Sequence, residues 1–467
     1  MRRTFPVRGL AGREEAQARV HQGHGPRPAL RRELGLASAT LLVIGGIIGS
    51  GIFFTPAETA RGLPTGTLVM LVWAAGGVVA LAGALTYAEL GAMMPDAGGA
   101  YVYIRAAFGA LPAFLCGWMT LASIASGATA AVAMSFASYL GRFLDLTPVG
   151  GALPVAAATI ALVGLTNWFG VRPGVAVQNV CTVAKVAAIA ALVVGGALAW
   201  RLLGAPPSVP AAPPPPPIIP GMAAAFVAVL FTIGGWQQMN MVAGEVRDPD
   251  RNIPRALAVG IGVVIACYLG VTAVALRALG RDGLAASAGV AADTAARIAG
   301  EAGAAAVTVA VMVSIFGFLN VVVLATPRMF YAMARDGAFF PGAARVHPRW
   351  GTPHWSIAIL CGWSIALLLL TRGEIGALLS GVVFADWIFF GLGAASVFVL
   401  RRRLPDADRP YRVVGYPVVP GFFVAAAAVG VVSAVLSAPR MSALGALLLA
   451  AGAAAFAGFR RAHRRVP

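Results

Sequence analysis

The chain has 467 residues, 59% of them hydrophobic and only 11% charged, with a formal net charge of +17. A water-soluble domain carries about 25% charged residues, so this composition excludes a chain dissolved mainly in water. Four cysteines (Cys116, Cys181, Cys267, Cys361) all fall in apolar runs, which fits neither a disulfide scaffold nor a zinc site.

Twelve apolar stretches approach the roughly 20 residues needed to cross a bilayer. They lie at about 36–58, 67–94, 108–140, 152–169, 175–202, 221–243, 255–277, 304–334, 354–371, 375–400, 417–437 and 441–459, and are numbered spans 1–12. The expected fold is therefore all-α, a polytopic membrane protein of 12 transmembrane helices. A tail (1–32) precedes the membrane domain (33–460), and a second tail (461–467) follows it. The first tail is Arg-rich, but the apolar run after it is too long for a signal-peptide core and lacks a small-residue cleavage site, so span 1 is expected to stay. With that tail in the cytoplasm, the inward segments hold 26 of the 35 basic residues. This is the positive-inside pattern. It assigns the basicity to topology, with both termini inside the cell (inner) membrane, and removes the reason to expect a nucleic-acid partner.

Span 1 contains Gly45-Gly46-Ile47-Ile48-Gly49-Ser50-Gly51-Ile52-Phe53. An unwound turn inside a membrane helix exposes peptide groups that hydrocarbon cannot satisfy, so it persists only against protein or a polar cavity. The half-helix beyond such a break presents amides at Ser50, Gly51 and Ile52, and with its dipole suits a carboxylate. Carbonyls before the break, Ile47 among them, suit an ammonium. Glu89 near the inner end of span 2 reads more readily as a helix-holding group than as a proton carrier. Ser123 and Ser126 on span 3 are weak candidates for side-chain recognition.

Lys185 in span 5 is the single lysine beside 34 arginines. An ionisable group inside the bilayer is by default functional, and an ammonium can lose a proton where a guanidinium cannot. Three roles stay open for it: proton carrier, permanent internal cation, and structural donor to the unwound carbonyls of span 1. The proline-dense stretch 204–220, with Pro213 to Pro217 in a row, reads as an extended spacer outside the membrane. Five spans precede it, so any repeat of spans 1–5 (about 36–202) in spans 6–10 (about 221–400) is inverted, with the helices at 417–459 added.

Span 6 carries Phe231-Thr232-Ile233-Gly234-Gly235-Trp236, a second glycine interruption at the matching position. Paired interruptions of this kind point to a transporter's binding site. Carbonyls of Phe231, Thr232 and Gly234 add to the ammonium site, and Trp236 reads as packing. The competing reading is that these glycines only permit close helix packing. The mixed-sign clusters Glu245, Arg247, Asp248, Asp250, Arg251 and Arg328, Arg335, Asp336 fit either an inner gate or a solvated loop face. Asn320 on span 8 and Asp386 on span 10 are further gating or specificity candidates.

No GxxxxGK[ST] phosphate loop occurs, and the five histidines form no paired metal motif. The sequence thus gives no ground for an enzyme, a cofactor or a metal, and no filter or charged ring for a channel.

The segments GGIIGSGIF (45–53), TNWFGVRPGVAVQNVCTVAKV (166–186), FTIGGWQQMN (231–240) with GEVRDPDRNIPRAL (244–257), ATPRMFYAMARDG (325–337) and RPYRVVGYPVVP (409–420) resemble the amino acid–polyamine–organocation superfamily. The likeness is closest to its L-type amino acid transporter branch and bacterial relatives, and runs through nearly the whole chain. It implies a five-plus-five inverted repeat with discontinuous helices 1 and 6 and two added helices. It implies that Ile47, Ser50, Gly51, Phe231, Thr232 and Gly234 hold the substrate backbone, with Phe231 as an aromatic gate. It also implies that Lys185 stands where sodium-coupled relatives bind sodium. Two departures stand out. The outer loop at about 141–150 lacks the cysteine that joins animal members to a glycoprotein partner, so no disulfide-linked heavy chain is expected. Asp386 replaces an Asn common in animal relatives. The function expected is sodium-independent transport of a neutral L-amino acid, with or without protons. A cationic amino acid or polyamine carrier and a non-transporting sensor are the alternatives.

Overall fold

The computed structural model describes residues 30–207, 214–374 and 382–463. Most of the N-terminal tail, Pro213 with the centre of the proline segment, the start of the expected span 10 and the last four residues lie outside the described residues. Hydrocarbon offers no hydrogen bonds, so a membrane segment must satisfy its peptide groups internally. The described chain accordingly forms helices and no strand, with one isolated bridge between Leu34 and Val246. Among the described residues, eight helices are long and apolar enough to span, and four shorter apolar ones (Leu36–Ile47, Ala152–Trp168, Ile218–Thr232, His354–Leu370) complete the twelve.

Two of those shorter helices are the interrupted ones. Span 1 is a helix Leu36–Ile47, a 3-10 turn Gly51–Phe53 and a second helix Thr55–Gly62. Span 6 is Ile218–Thr232, a break, then a single turn Gln238–Met241. Span 6 thus begins three residues before the expected boundary, just after Pro217, whose fixed φ favours a helix start.

Features not evident in the sequence strengthen the two-set order. A short helix Ala100–Phe108 precedes span 3 and ends at Gly109 (φ 93°). Its counterpart is the stretch from Val290 to Gly300 (φ 69°), where the chain turns into span 8. Both glycines occupy left-handed backbone that a side chain would strain. Each set of five therefore opens with a broken helix and carries a short extra helix before its third span, the same order of elements in both sets. Span 3 (Ala110–Leu140) contains a π-helical turn at Thr120–Ile124, a feature often found at functional sites.

Ion pairs hold the side on which the chain enters span 1. Glu89 of span 2 is buried and takes Arg401 at 2.6 and 2.8 Å and the Val413 amide at 2.7 Å, with Arg409 at 3.7 Å. This is the helix-holding arrangement. Glu245 and Arg328 form a bidentate pair at 3.0 to 3.3 Å with both side chains buried. That pair is no solvated loop face. Backbone bonds from Glu33 and Leu34 to the Glu245 carbonyl (2.9 Å each) tie the start of span 1 to the end of span 6. Asp336 contacts Arg105 and accepts from the Tyr101 hydroxyl. By contrast Arg247, Asp248, Asp250 and Arg251 are exposed.

Candidate substrate site

The two breaks face each other across the middle of the fold. An ideal Cβ on Gly235 (φ 110°) would lie 2.0 Å from the Gly46 carbonyl oxygen, and one on Gly51 would lie 2.9 Å from Thr232. Only glycine permits that approach at Gly235. The hydroxyls of Thr55 and Thr232 join the two helices at 2.6 Å just beyond the breaks.

The amides of Ser50, Gly51 and Ile52 find no backbone acceptor among the described residues; the turn that follows is closed by Phe53 and Phe54 donating to Ser50 and Gly51. On the other side, the carbonyls of Phe231 and Gly234 receive no backbone amide, while the Gly235 amide is taken by Gln237 Oε1 at 2.9 Å. Unpaired donors and unpaired acceptors thus flank one space, a cavity of about 440 Å³. A volume of that order suits a small molecule. Ile47, Ser50, Gly51, Phe231, Thr232, Gly234 and Asp386 all line it.

Other freed carbonyls are already occupied by protein. Lys185, fully buried, donates to the carbonyls of Gly45 (3.2 Å), Ile48 (2.5 Å) and Ser314 (3.3 Å). The Ser314 hydroxyl adds bonds to Ile48 and Gly49. Lys185 shares its helix face with Gln178 and Thr182, and the latter two press on Gly45, where a Cβ would meet them at 1.8 and 2.5 Å. Spacings of four and three place these three on one stripe, so span 5 grips the first half of span 1 along its length. Tyr268 of span 7, which the sequence reading missed, places its hydroxyl 3.1 Å from the Ile47 carbonyl and 3.3 Å from that of Thr232. It bridges both breaks. A buried tyrosine in an apolar span normally finds a partner for its hydroxyl, which is the only hint the sequence held.

Four expected contacts fall outside the cavity. Ile52 is buried in the core, because the 3-10 turn points its side chain away while leaving its amide unpaired. Asn320 faces spans 4 and 5, donating to the Gly174 carbonyl and accepting from Asn167 at 2.8 Å. Its polar groups are spent on helix–helix bonds. Ser126, fully buried, and Ser123, 8% exposed, both lie off the lining. The span 3 residues that do line it, Cys116, Thr120, Ile124, Ala125, Ala128, Ala131, Val132 and Ser135, form one stripe along the helix and leave both serines off it. The four cysteines are free, and among the described residues no cluster is fit to hold a metal.

The sequence profile of the family described as amino acid permease matches residues 34–455. The chain is 31% identical over 417 residues to the large neutral amino acids transporter small subunit 2 of Rattus norvegicus, covering 88% of this chain and 77% of that one. It is 32% identical over 402 residues to the serine/threonine exchanger SteT of Bacillus subtilis (strain 168), covering 85% and 90%. It is 31% identical over 409 residues to the human b(0,+)-type amino acid transporter 1, covering 87% and 83%.

Proposed function

The chain belongs to the amino acid permease family, as a multi-pass membrane transporter and not an enzyme, and from that premise we propose that it carries a neutral L-amino acid by alternating access. The observation that carries the reading is the pair of facing breaks. The α-carboxylate takes the unpaired amides of Ser50 and Gly51, which line the cavity where Ile52 does not, at the positive end of a half-helix. The α-ammonium takes the carbonyls of Phe231, Thr232 and Gly234, with Ile47 nearby. Phe231, half exposed on the cavity, covers the bound zwitterion.

Lys185 supports sodium independence, since its ammonium already supplies a cation to the carbonyls of Gly45 and Ile48. The names of two relatives, one a carrier of large neutral amino acids and one a serine/threonine exchanger, support a neutral side chain and make exchange the first mode to test. The arginine distribution supports a cell (inner) membrane with both termini cytoplasmic. A cationic amino acid is the second reading, favoured by one observation: Asp386 lines the cavity.

The test is uptake of labelled amino acids into proteoliposomes, with all twenty as competitors and with or without a counter-substrate inside. Accumulation or exchange of neutral L-amino acids is expected. Saturable binding with neither would make the protein a sensor.

A further inference from the structure

Among the described residues, the cavity is lined by two carboxylates and no base. Glu58 is exposed at one rim, and Asp386 opens onto the cavity from span 10. No Lys, Arg or His is among the described lining residues. None of the ion pairs among the described residues includes Asp386. Gln238, 8% exposed on the same lining, leaves its Oε1 without a partner. Asp386 and Gln238 Oε1 therefore give the site two acceptors beyond those assigned to the zwitterion, apart from Glu58 at the rim.

Among the described residues, the elements around span 10 hold nothing that neutralises the carboxylate. Tyr87 of span 2 and Cys116 of span 3 lie within its electrostatic reach, and neither carries positive charge. Glu89 is taken by Arg401. On the helix before span 3, Tyr101 and Arg105 are taken by Asp336 and Tyr103 by Asn240. Span 11 (Val418–Ser437) has no titratable residue, and Arg440 at the start of span 12 is exposed.

An isolated carboxylate enclosed by protein within a bilayer is costly to keep charged. When the cavity closes around a substrate, two things can remove that cost: a proton on the carboxylate, or a cation beside it. We propose that Asp386 is a charge-balancing carboxylate that takes up one proton with each neutral amino acid and none with a cationic one, whose side chain replaces the proton. The proton comes from water on the loading side, binds a carboxylate oxygen, and leaves on the other side; no other bond changes. This rests on the zwitterion reading of the same cavity and adds the substrate rule: neutral plus proton, or cation alone.

The test loads proteoliposomes with the neutral amino acid carried fastest among L-threonine, L-alanine and L-leucine, together with a trapped pH-sensitive dye in weak buffer. With labelled L-lysine outside, one proton should leave the lumen per lysine entering. Self-exchange of the neutral amino acid should leave luminal pH unchanged. Asp386→Asn should lower lysine uptake at least tenfold relative to the neutral substrate and abolish the proton signal, and Asp386→Glu should restore both. Failure of the wild type to take up lysine, or lysine entry without proton exit, overturns the proposal even if the Asn variant does not fold. So does an Asn variant that keeps the coupling. If no neutral amino acid enters the wild type at all, it is the zwitterion reading that fails.

Discussion

Replacing Lys185 with Met keeps most of its volume and removes its three hydrogen bonds. The Gly45 carbonyl then has no partner, and Ile48 keeps only the Ser314 hydroxyl at 3.3 Å. A buried acceptor left unsatisfied costs about 1–3 kcal/mol, and a hydrogen bond from a charged donor contributes about 1.5–3 kcal/mol. The two carbonyls together therefore lose roughly 3–6 kcal/mol of local anchoring. Removing a buried ammonium also relieves its desolvation, so global stability falls by less than the local anchoring does. The expected outcome is selective. Lys185→Met should insert and unfold near the wild-type temperature, yet lose at least 95% of amino acid uptake, because the first half of span 1 is no longer held in register with the break. The assay is initial-rate uptake into proteoliposomes beside thermal unfolding in detergent, with sodium or choline as the external cation. Choline should leave wild-type uptake within about twofold. Lys185→Met uptake within threefold of wild type would refute the argument, as would wild-type uptake that collapses without sodium.

Two further outcomes follow from packing and pairing. Gly235→Ala brings a Cβ to 2.0 Å from the Gly46 carbonyl oxygen, where carbon–oxygen contact needs about 3.3 Å. The breaks must part by about 1.3 Å, and displacements of that size cost on the order of a hundredfold in rate, which uptake kinetics will read. Glu89→Ala strands Arg401 and the Val413 amide. Breaking a buried pair costs about 3 kcal/mol or more, so thermal unfolding should show a marked fall, whereas Asp250→Ala on the exposed loop should change little.

The spans were legible because hydrocarbon leaves a chain little choice: twelve apolar runs became twelve helices. The breaks were legible because glycine pairs at matching places in an odd-numbered repeat have a specific geometric meaning. Lys185 stood out as the one lysine, and the structure gives its ammonium three carbonyls. What escaped was everything that depends on which face a helix turns inward. Asn320 looked like a polar group awaiting a ligand, but its register points it at Asn167 and Gly174. Ser126 is likewise turned off the cavity. Tyr268 went unnoticed because a tyrosine in an apolar span is ordinary until its hydroxyl is seen between two broken helices. The Glu245–Arg328 pair was read equally well as gate or surface, since residues 83 positions apart give no sign in sequence that they are buried together.

The most direct measurement compares three competitors against uptake of the preferred neutral amino acid: the parent compound, its carboxamide, and its deaminated acid. Each analogue deletes one charge that the facing breaks are held to grip. The parent should compete fully, and the carboxamide and the deaminated acid should each be at least tenfold weaker. Competition by either analogue at the strength of the parent would contradict the assignment of span 1 amides and span 6 carbonyls to a zwitterion.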